Sequence, residues 1–194
     1  MEKLFFRLSG GKPLPEGLVA YLTQHLKTRV FKKGEIILRK GQICRYIYFI
    51  ESGVLRHFVD DGRHEITTWL LKDGDICISI KSFLDQVPAY DTIEAQTETI
   101  VWYISFEELE EGCRLFPEFA LIRDRIKSEY YAIKDAREPF MRSLDPMDRY
   151  IHLLETAPIF AQLVEIPELS SYLFMTPKML SKIRRELREK RKHP

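Results

Sequence analysis

At 194 residues, with 45% hydrophobic and 30% charged side chains, the chain is long enough for one large domain or a medium one with a small companion. Its composition is globular rather than disordered, and thirty Lys and Arg against 29 Asp and Glu leave a net charge of +1, which excludes a protein basic or acidic as a whole. Cys44, Cys77 and Cys113 lie too far apart for a disulfide framework or a metal-ligand spacing. No apolar run approaches the roughly 20 residues that cross a bilayer, and MEKLFFR is not followed by a signal-like core. These features together predict a cytoplasmic protein with reduced thiols, no membrane contact and no metal.

The first predicted element is a helix over 13–29, where Leu18, Leu22 and Leu26 recur at steps of four. From Val30 to Ile104 the period changes. Gly34, Gly41, Gly53, Gly62 and Gly74 each sit in a polar cluster, separated by β-branched and aromatic runs such as YIYFI, VLRHFV and TIVWYI. Short strands at such spacing predict an all-β sandwich or barrel, with VDDGRHEI as a hairpin tip. SFEELEEG then reads as a serine-capped helix start.

A longer helical pattern begins near Phe116. Phe119, Ile122, Ile126, Tyr130 and Ile133 form one apolar seam on an otherwise charged helix. So narrow a seam suits a contact with the same helix of a second copy, and it equally suits packing against the chain's own β region; the first reading is preferred. Asp145-Pro146 marks a boundary, after which the chain is helical to its end.

In this last part IPELSSYL and TPKMLSKIRREL read as two helices joined by a turn. Thr176 is placed to cap the second and Pro177 fits its first position. Leu180, Ile183 and Leu187 share its core face, with Leu169 and Leu173 opposite. The other face carries Lys178, Ser181, Lys182 and Arg185. From Lys178 to Lys192 the chain holds eight Lys or Arg against Glu186 and Glu189. A basic face of this kind provides affinity for phosphates, and its hydroxyl and long side chains can reach base edges. A solvated basic helix presents the same pattern.

Taken together, FKKGEIILRKGQICRYIYFIESGVLRHF, the turn LKDGDI and the stretch YLFMTPKMLSKIRREL resemble the Crp/Fnr superfamily of bacterial transcription regulators, the last in a style seen in its Bacteroidetes-type members. The resemblance spans nearly the whole chain. It implies an α+β architecture: a double-stranded, jelly-roll-like β-roll with flanking helices over 1–115, similar to cyclic-nucleotide-binding domains; a long dimerisation helix over 116–143; and an all-α helix-turn-helix domain over 144–194. Only seven residues follow Leu187, too few for a β-wing. The partners implied are double-stranded DNA, a second copy of the chain and RNA polymerase. Thr176, Lys178, Ser181, Lys182, Arg185 and Arg188 would contact DNA, with Lys190 to Lys192 extending the phosphate contacts.

Three departures from the family pattern matter. Ser79 stands where the family places a glutamate for the ribose, and no arginine for a cyclic phosphate occurs between Arg63 and Arg114. Lys134 and Asp135 replace the hydroxyl residues that meet adenine. The resemblance therefore argues against cyclic AMP and leaves a different small effector, with Ser79, Lys81, Ser82 and Tyr90 as candidate pocket residues. Phe174 occupies a turn position where the family has glycine, because the backbone there takes positive φ.

Two rival readings remain. One is a dimeric module that keeps this architecture without operator recognition. The other is a cupin-like enzyme, for which His57, His64 and Glu65 are the nearby metal-ligand candidates. No H-x-H pair occurs and no nucleophile motif is present, so no enzyme is expected.

Overall fold

The computed structural model describes residues 1–192, with side chains described to Glu189. Helices α1 (Glu2–Ser9) and α2 (Glu16–His25) precede eight strands: β1 (Lys27–Phe31), β2 (Ile36–Leu38), β3 (Tyr46–Ser52), β4 (Val54–Asp60), β5 (Glu65–Lys72), β6 (Ile76–Cys77), β7 (Thr92–Ala95) and β8 (Thr99–Ser105). A short helix α3 (Ile80–Asp85) interrupts them before β7. Then follow α4 (Phe106–Leu115), the 27-residue α5 (Pro117–Ser143), α6 (Pro146–Thr156), α7 (Pro158–Leu163), α8 (Ile166–Tyr172) and α9 (Pro177–Lys192).

The strands form two antiparallel four-stranded sheets, β1-β8-β3-β6 and β2-β7-β4-β5, which close over Phe31, Ile50, Leu55, Phe83, Ile93 and Val101. Between β3 and β4, Gly53 takes φ 110°, and a Cβ there would lie 2.7 Å from the Thr99 Cα, so only glycine fits. At the β4–β5 tip, the Asp61 carboxylate accepts from the amides of Arg63 and His64 while Gly62 takes φ 85°. Ser105 and Glu108 complete a reciprocal capping box on α4.

Two expectations on element limits are corrected. The first long helix ends at His25, because Lys27 to Phe31 pair with Tyr103 to Thr99 as a sheet edge. A separate helix α1, absent from the sequence reading, lays Leu4 and Leu8 on the roll.

The α5 seam is corrected as well. Phe119 is buried in the roll's core, Ile122 and Ile126 pack against it, and the Tyr130 ring lies 5.8 Å from that of Trp69. The helix thus spends most of its seam on its own β-roll, whose two sheets alone leave an apolar edge uncovered. Ile133 stays exposed, together with Leu121, Tyr131 and Phe140.

A second core joins the C-terminal helices to the roll. Leu153, Phe160, Leu169, Leu173, Leu180 and Ile183 cluster with Met141 of α5 and with Val54 and Leu70 from the outer face of the second sheet. Strand β4 is consequently buried on both faces, Leu55 and His57 inward, Val54 and Arg56 toward the helices.

Candidate nucleic-acid interface and sensor interior

The α8–α9 pair is built on the Leu169, Leu173, Leu180 and Ile183 core. The Thr176 hydroxyl accepts from the Met179 amide at 3.2 Å, which caps α9 as its sequence predicts. At 3.6 residues per turn, Lys178, Ser181, Lys182, Arg185 and Arg188 fall within an arc of about 120° opposite the core residues. All five are exposed, as is Thr176. Lys182 carries a loose 3.7 Å contact with Glu186, one turn on. Arg184, between the two faces, is turned inward: it donates to the Ala161 carbonyl and lies over the Tyr150 ring. The side chains of Lys190, Arg191 and Lys192 lie outside the described residues.

Phe174 takes φ 55°, the left-handed conformation that the turn requires and that costs a non-glycine residue roughly 1–2 kcal/mol. The surroundings offset this strain. Arg149 donates to the Phe174 and Leu173 carbonyls at 2.8 and 3.3 Å, and the Arg142 guanidinium sits 4.6 Å from the Phe174 ring. Arg137 of α5 donates to the Tyr172 carbonyl at 2.7 Å and stands over Tyr172, Phe174 and Trp69 at 3.8, 5.4 and 5.6 Å. The aromatic ring at this position is therefore one of three that share a single cation, and the turn itself keeps its left-handed geometry.

Polar contacts also dock this pair on the roll. Buried Arg56 donates to Thr67 at 2.9 Å and to Glu65 at 2.8 Å, and reaches Glu94 at 3.4 Å and Glu168 of α8 at 4.0 Å. Burial raises the Glu94 carboxyl, against the pull of Arg56. The Thr67 amide donates to Ser171 at 3.0 Å, and Lys33 pairs with Glu165 at 2.8 Å.

Inside the roll the expected pocket residues do not converge. Ser79 is buried and donates to Asp91 at 2.6 Å; Ser82 is buried and joins the Cys44 amide to the Val87 carbonyl. Lys81 and Tyr90 are exposed, and the Tyr90 hydroxyl accepts from Lys134 outside the roll. This corrects the candidate set Ser79, Lys81, Ser82 and Tyr90: the two serines are consumed by internal hydrogen bonds, and the other two face solvent.

His57, a metal-ligand candidate only under the cupin-like reading, is buried by the fold between Asp91 at 2.8 Å from Nδ1 and the Cys77 Sγ at 3.2 Å from Nε2. Burial pushes the Asp91 carboxyl up, but the hydrogen bond and charge of His57 and the Ser79 hydroxyl outweigh it and hold the group below its ordinary range. The order Cys77–His57–Asp91 has the shape of a nucleophilic relay. The Cys77 thiol, however, is wholly buried and raised well above its ordinary value by desolvation, so it is not a nucleophile here. His64 sits on the exposed hairpin, away from His57. Among the described residues no group of three His, Cys, Asp or Glu is arranged to hold a metal ion.

Comparisons with known proteins agree with this geometry. Residues 28–115 match the cyclic nucleotide-binding domain family. Over 121 residues the chain is 29% identical to a voltage-gated delayed rectifier potassium channel of Mus musculus, an alignment covering 62% of this chain and 11% of the channel. The chain thus spans about a ninth of those relatives. Among solved structures, FixK2 of Bradyrhizobium japonicum superposes with a TM-score of 0.72 at 14% identity, covering 85% of each chain. The c-di-GMP responsive regulator CLP of Xanthomonas campestris gives 0.69 at 18%, covering 91% of this chain and 93% of that one. The catabolite activator protein of Thermus thermophilus gives 0.58 at 19%, covering 95% and 87%. These likenesses, at 14–19% identity, show that the chain shares the fold of these three proteins, of which CLP is named as a global regulator. Among the described residues no helix is long and apolar enough to cross a membrane.

Proposed function

We propose that this protein is a DNA-binding transcription regulator of the Crp/Fnr type, working in the cytoplasm as a homodimer on a near-palindromic operator. The observation that carries the reading is the exposed arc Lys178, Ser181, Lys182, Arg185 and Arg188 on a helix whose inner face is fully spent on packing. Lys178, Ser181 and Lys182 face base edges; Thr176, Arg185, Arg188 and the Lys190–Lys192 tail meet phosphates. Residues 1–115 act as the sensor, 116–143 as the connecting helix and 144–194 as the DNA-binding part, from which transcription is altered at RNA polymerase.

The dimer face is centred on the exposed Leu121 and Tyr131, on the side of α5 away from the roll, since Phe119, Ile122, Ile126, Tyr130 and Ile133 line the side toward it. Cyclic AMP is not the effector. The buried Asp91 carboxylate opposes a phosphate, and Ser79, which would have to receive the ligand, is bonded to it. The rival reading, a module without operator recognition, rested on Phe174 and on the altered pocket, and the left-handed turn at Phe174 weakens the first of these.

Selection from random duplexes tests the proposal: a palindrome with half-sites one helical turn apart should be enriched. Enrichment of no sequence, with binding unchanged on replacing Lys182 and Arg185 by alanine, would overturn it. Sedimentation of the full chain should show a dimer that Leu121→Glu dissociates.

A further inference from the structure

Two cavities abut on the inner side of α5. The larger, about 250 Å³, lies between Trp69 and Leu71 of β5, Phe83 and Leu84 of α3, and Tyr130 and Ile133 of α5, and it reaches Phe160 of α7. The smaller, about 70 Å³, runs beneath Leu4 and Leu8 of α1 to Trp102 of β8. Ile47, Ile76, Leu109, Arg123 and Ile126 line both, so the two adjoin and together outline an elongated, mostly apolar chamber, wide at one end and narrow at the other.

Apart from Arg123, which borders both cavities, the charged lining residues stand at the wide end. Arg7, Lys72, Arg123 and Lys127 line it against two carboxylates, Asp75 and Glu129, a net excess of two positive charges. Arg7 is paired with Glu129, and Arg123 with Glu110 and Asp124. Asp75 accepts from the Lys72 amide, and burial raises its carboxyl. Lys72 and Lys127 are then the lining cations without a carboxylate partner among the described residues. A long apolar cleft whose wide end holds Lys72 and Lys127 against the single carboxyl of Asp75 is complementary to an alkyl chain ending in one anion.

We propose that this chamber binds an unbranched aliphatic monocarboxylate of medium chain length, its carboxylate at Lys72 and Lys127 and its tail passing Ile126 toward Trp102. Such a ligand would touch the roll, α5 and α7 at once, and it lies along Trp69, whose ring faces the Arg137 that holds the α8–α9 turn. Its regulatory role rests on the regulator reading above; its binding does not.

The chain's two tryptophans lie at opposite ends of the chamber, which supplies the assay. Hexanoate, octanoate and decanoate, each kept below micelle-forming concentrations, are titrated into the full-length protein and into its Trp69→Phe and Trp102→Phe variants. Each added methylene should tighten binding about threefold to fourfold. Hexanoate should alter only the Trp69 emission, whereas decanoate should alter both. Lys72→Met with Lys127→Met should weaken decanoate about tenfold while leaving decanol unaffected. Ile126→Phe should abolish the gain from octanoate to decanoate and spare hexanoate; if that variant does not fold, the lysine pair decides. Emission that drifts without saturating, or saturates with no dependence on chain length or on the lysines, overturns the proposal. No DNA enters the assay, so its failure leaves the operator reading standing, and failure of the operator selection leaves the chamber standing.

Discussion

Ser79, His57 and Asp91 in the roll and Ser181, Lys182 and Arg185 on α9 are comparably polar, but they stand in opposite conditions. In the roll each polar atom faces another protein atom at 2.6–3.2 Å and is sealed from water. On α9 the side chains are exposed and face no protein partner closer than the 3.7 Å Glu186 contact. Buried polar groups must be satisfied from within, so a site that has to accept a foreign molecule needs bonding capacity left over. By that measure the interior of the roll is closed, and α9 is open.

The largest effect falls at Arg56, where alanine would leave Glu94 and Glu168 facing each other beneath α8 without a cation. A loss of about 3–5 kcal/mol is expected in urea unfolding. Asp91→Asn comes next, at about 1.5–3 kcal/mol near neutral pH, since it removes the charged partner of His57 and Ser79. The sign with pH follows from the lowered carboxyl. Its contribution is fully present above the unfolded value of about 3.9 and is lost as pH falls through the lower folded value. The urea midpoint of the native chain should therefore drop between about pH 6 and pH 3 by more than that of Asp91→Asn.

On the open surface, the same kind of substitution should leave stability almost untouched. Lys182→Ala is expected to change unfolding by less than about 0.5 kcal/mol while reducing discrimination between the selected operator and its point variants by about 1–3 kcal/mol, read by competition binding. Arg185→Ala and Arg188→Ala should each flatten the dependence of log affinity on log salt by about one phosphate contact, equally on all sequences. The smallest effect is at Phe174. Glycine there removes left-handed strain and also the ring against Arg142, so the two changes should nearly cancel, to within about 1 kcal/mol in thermal unfolding.

Local signals made much of this legible in the sequence. Glycine-punctuated strands, the Ser105 cap, the helix start near Phe116 and the Thr176 cap depend on neighbours a few residues away, and each stands where its pattern placed it. Long-range pairings were not legible. His57 meets partners 20 and 34 residues distant, and nothing in VLRHFV distinguishes a solvent-facing histidine from a sealed one. The α5 seam announces a helix with one apolar face but not what covers that face. Likewise LKTR continues the helical stripe of α2 until β8, more than 70 residues later, recruits it as a strand.

The second core has a consequence for anyone dividing this chain into parts. Val54 and Leu70 belong to the roll and Met141 to the long helix, yet all three complete the packing of α6 to α9. A fragment cut at Leu144 would leave behind three of its own buried side chains and carry an uncovered apolar surface in their place. Expressed separately it should be insoluble or molten, while the roll without it would expose Val54 and the charged underside of Arg56. The boundary near Leu144 is thus a seam in chain order only; the roll and the C-terminal helices share one set of buried side chains and should melt in one transition.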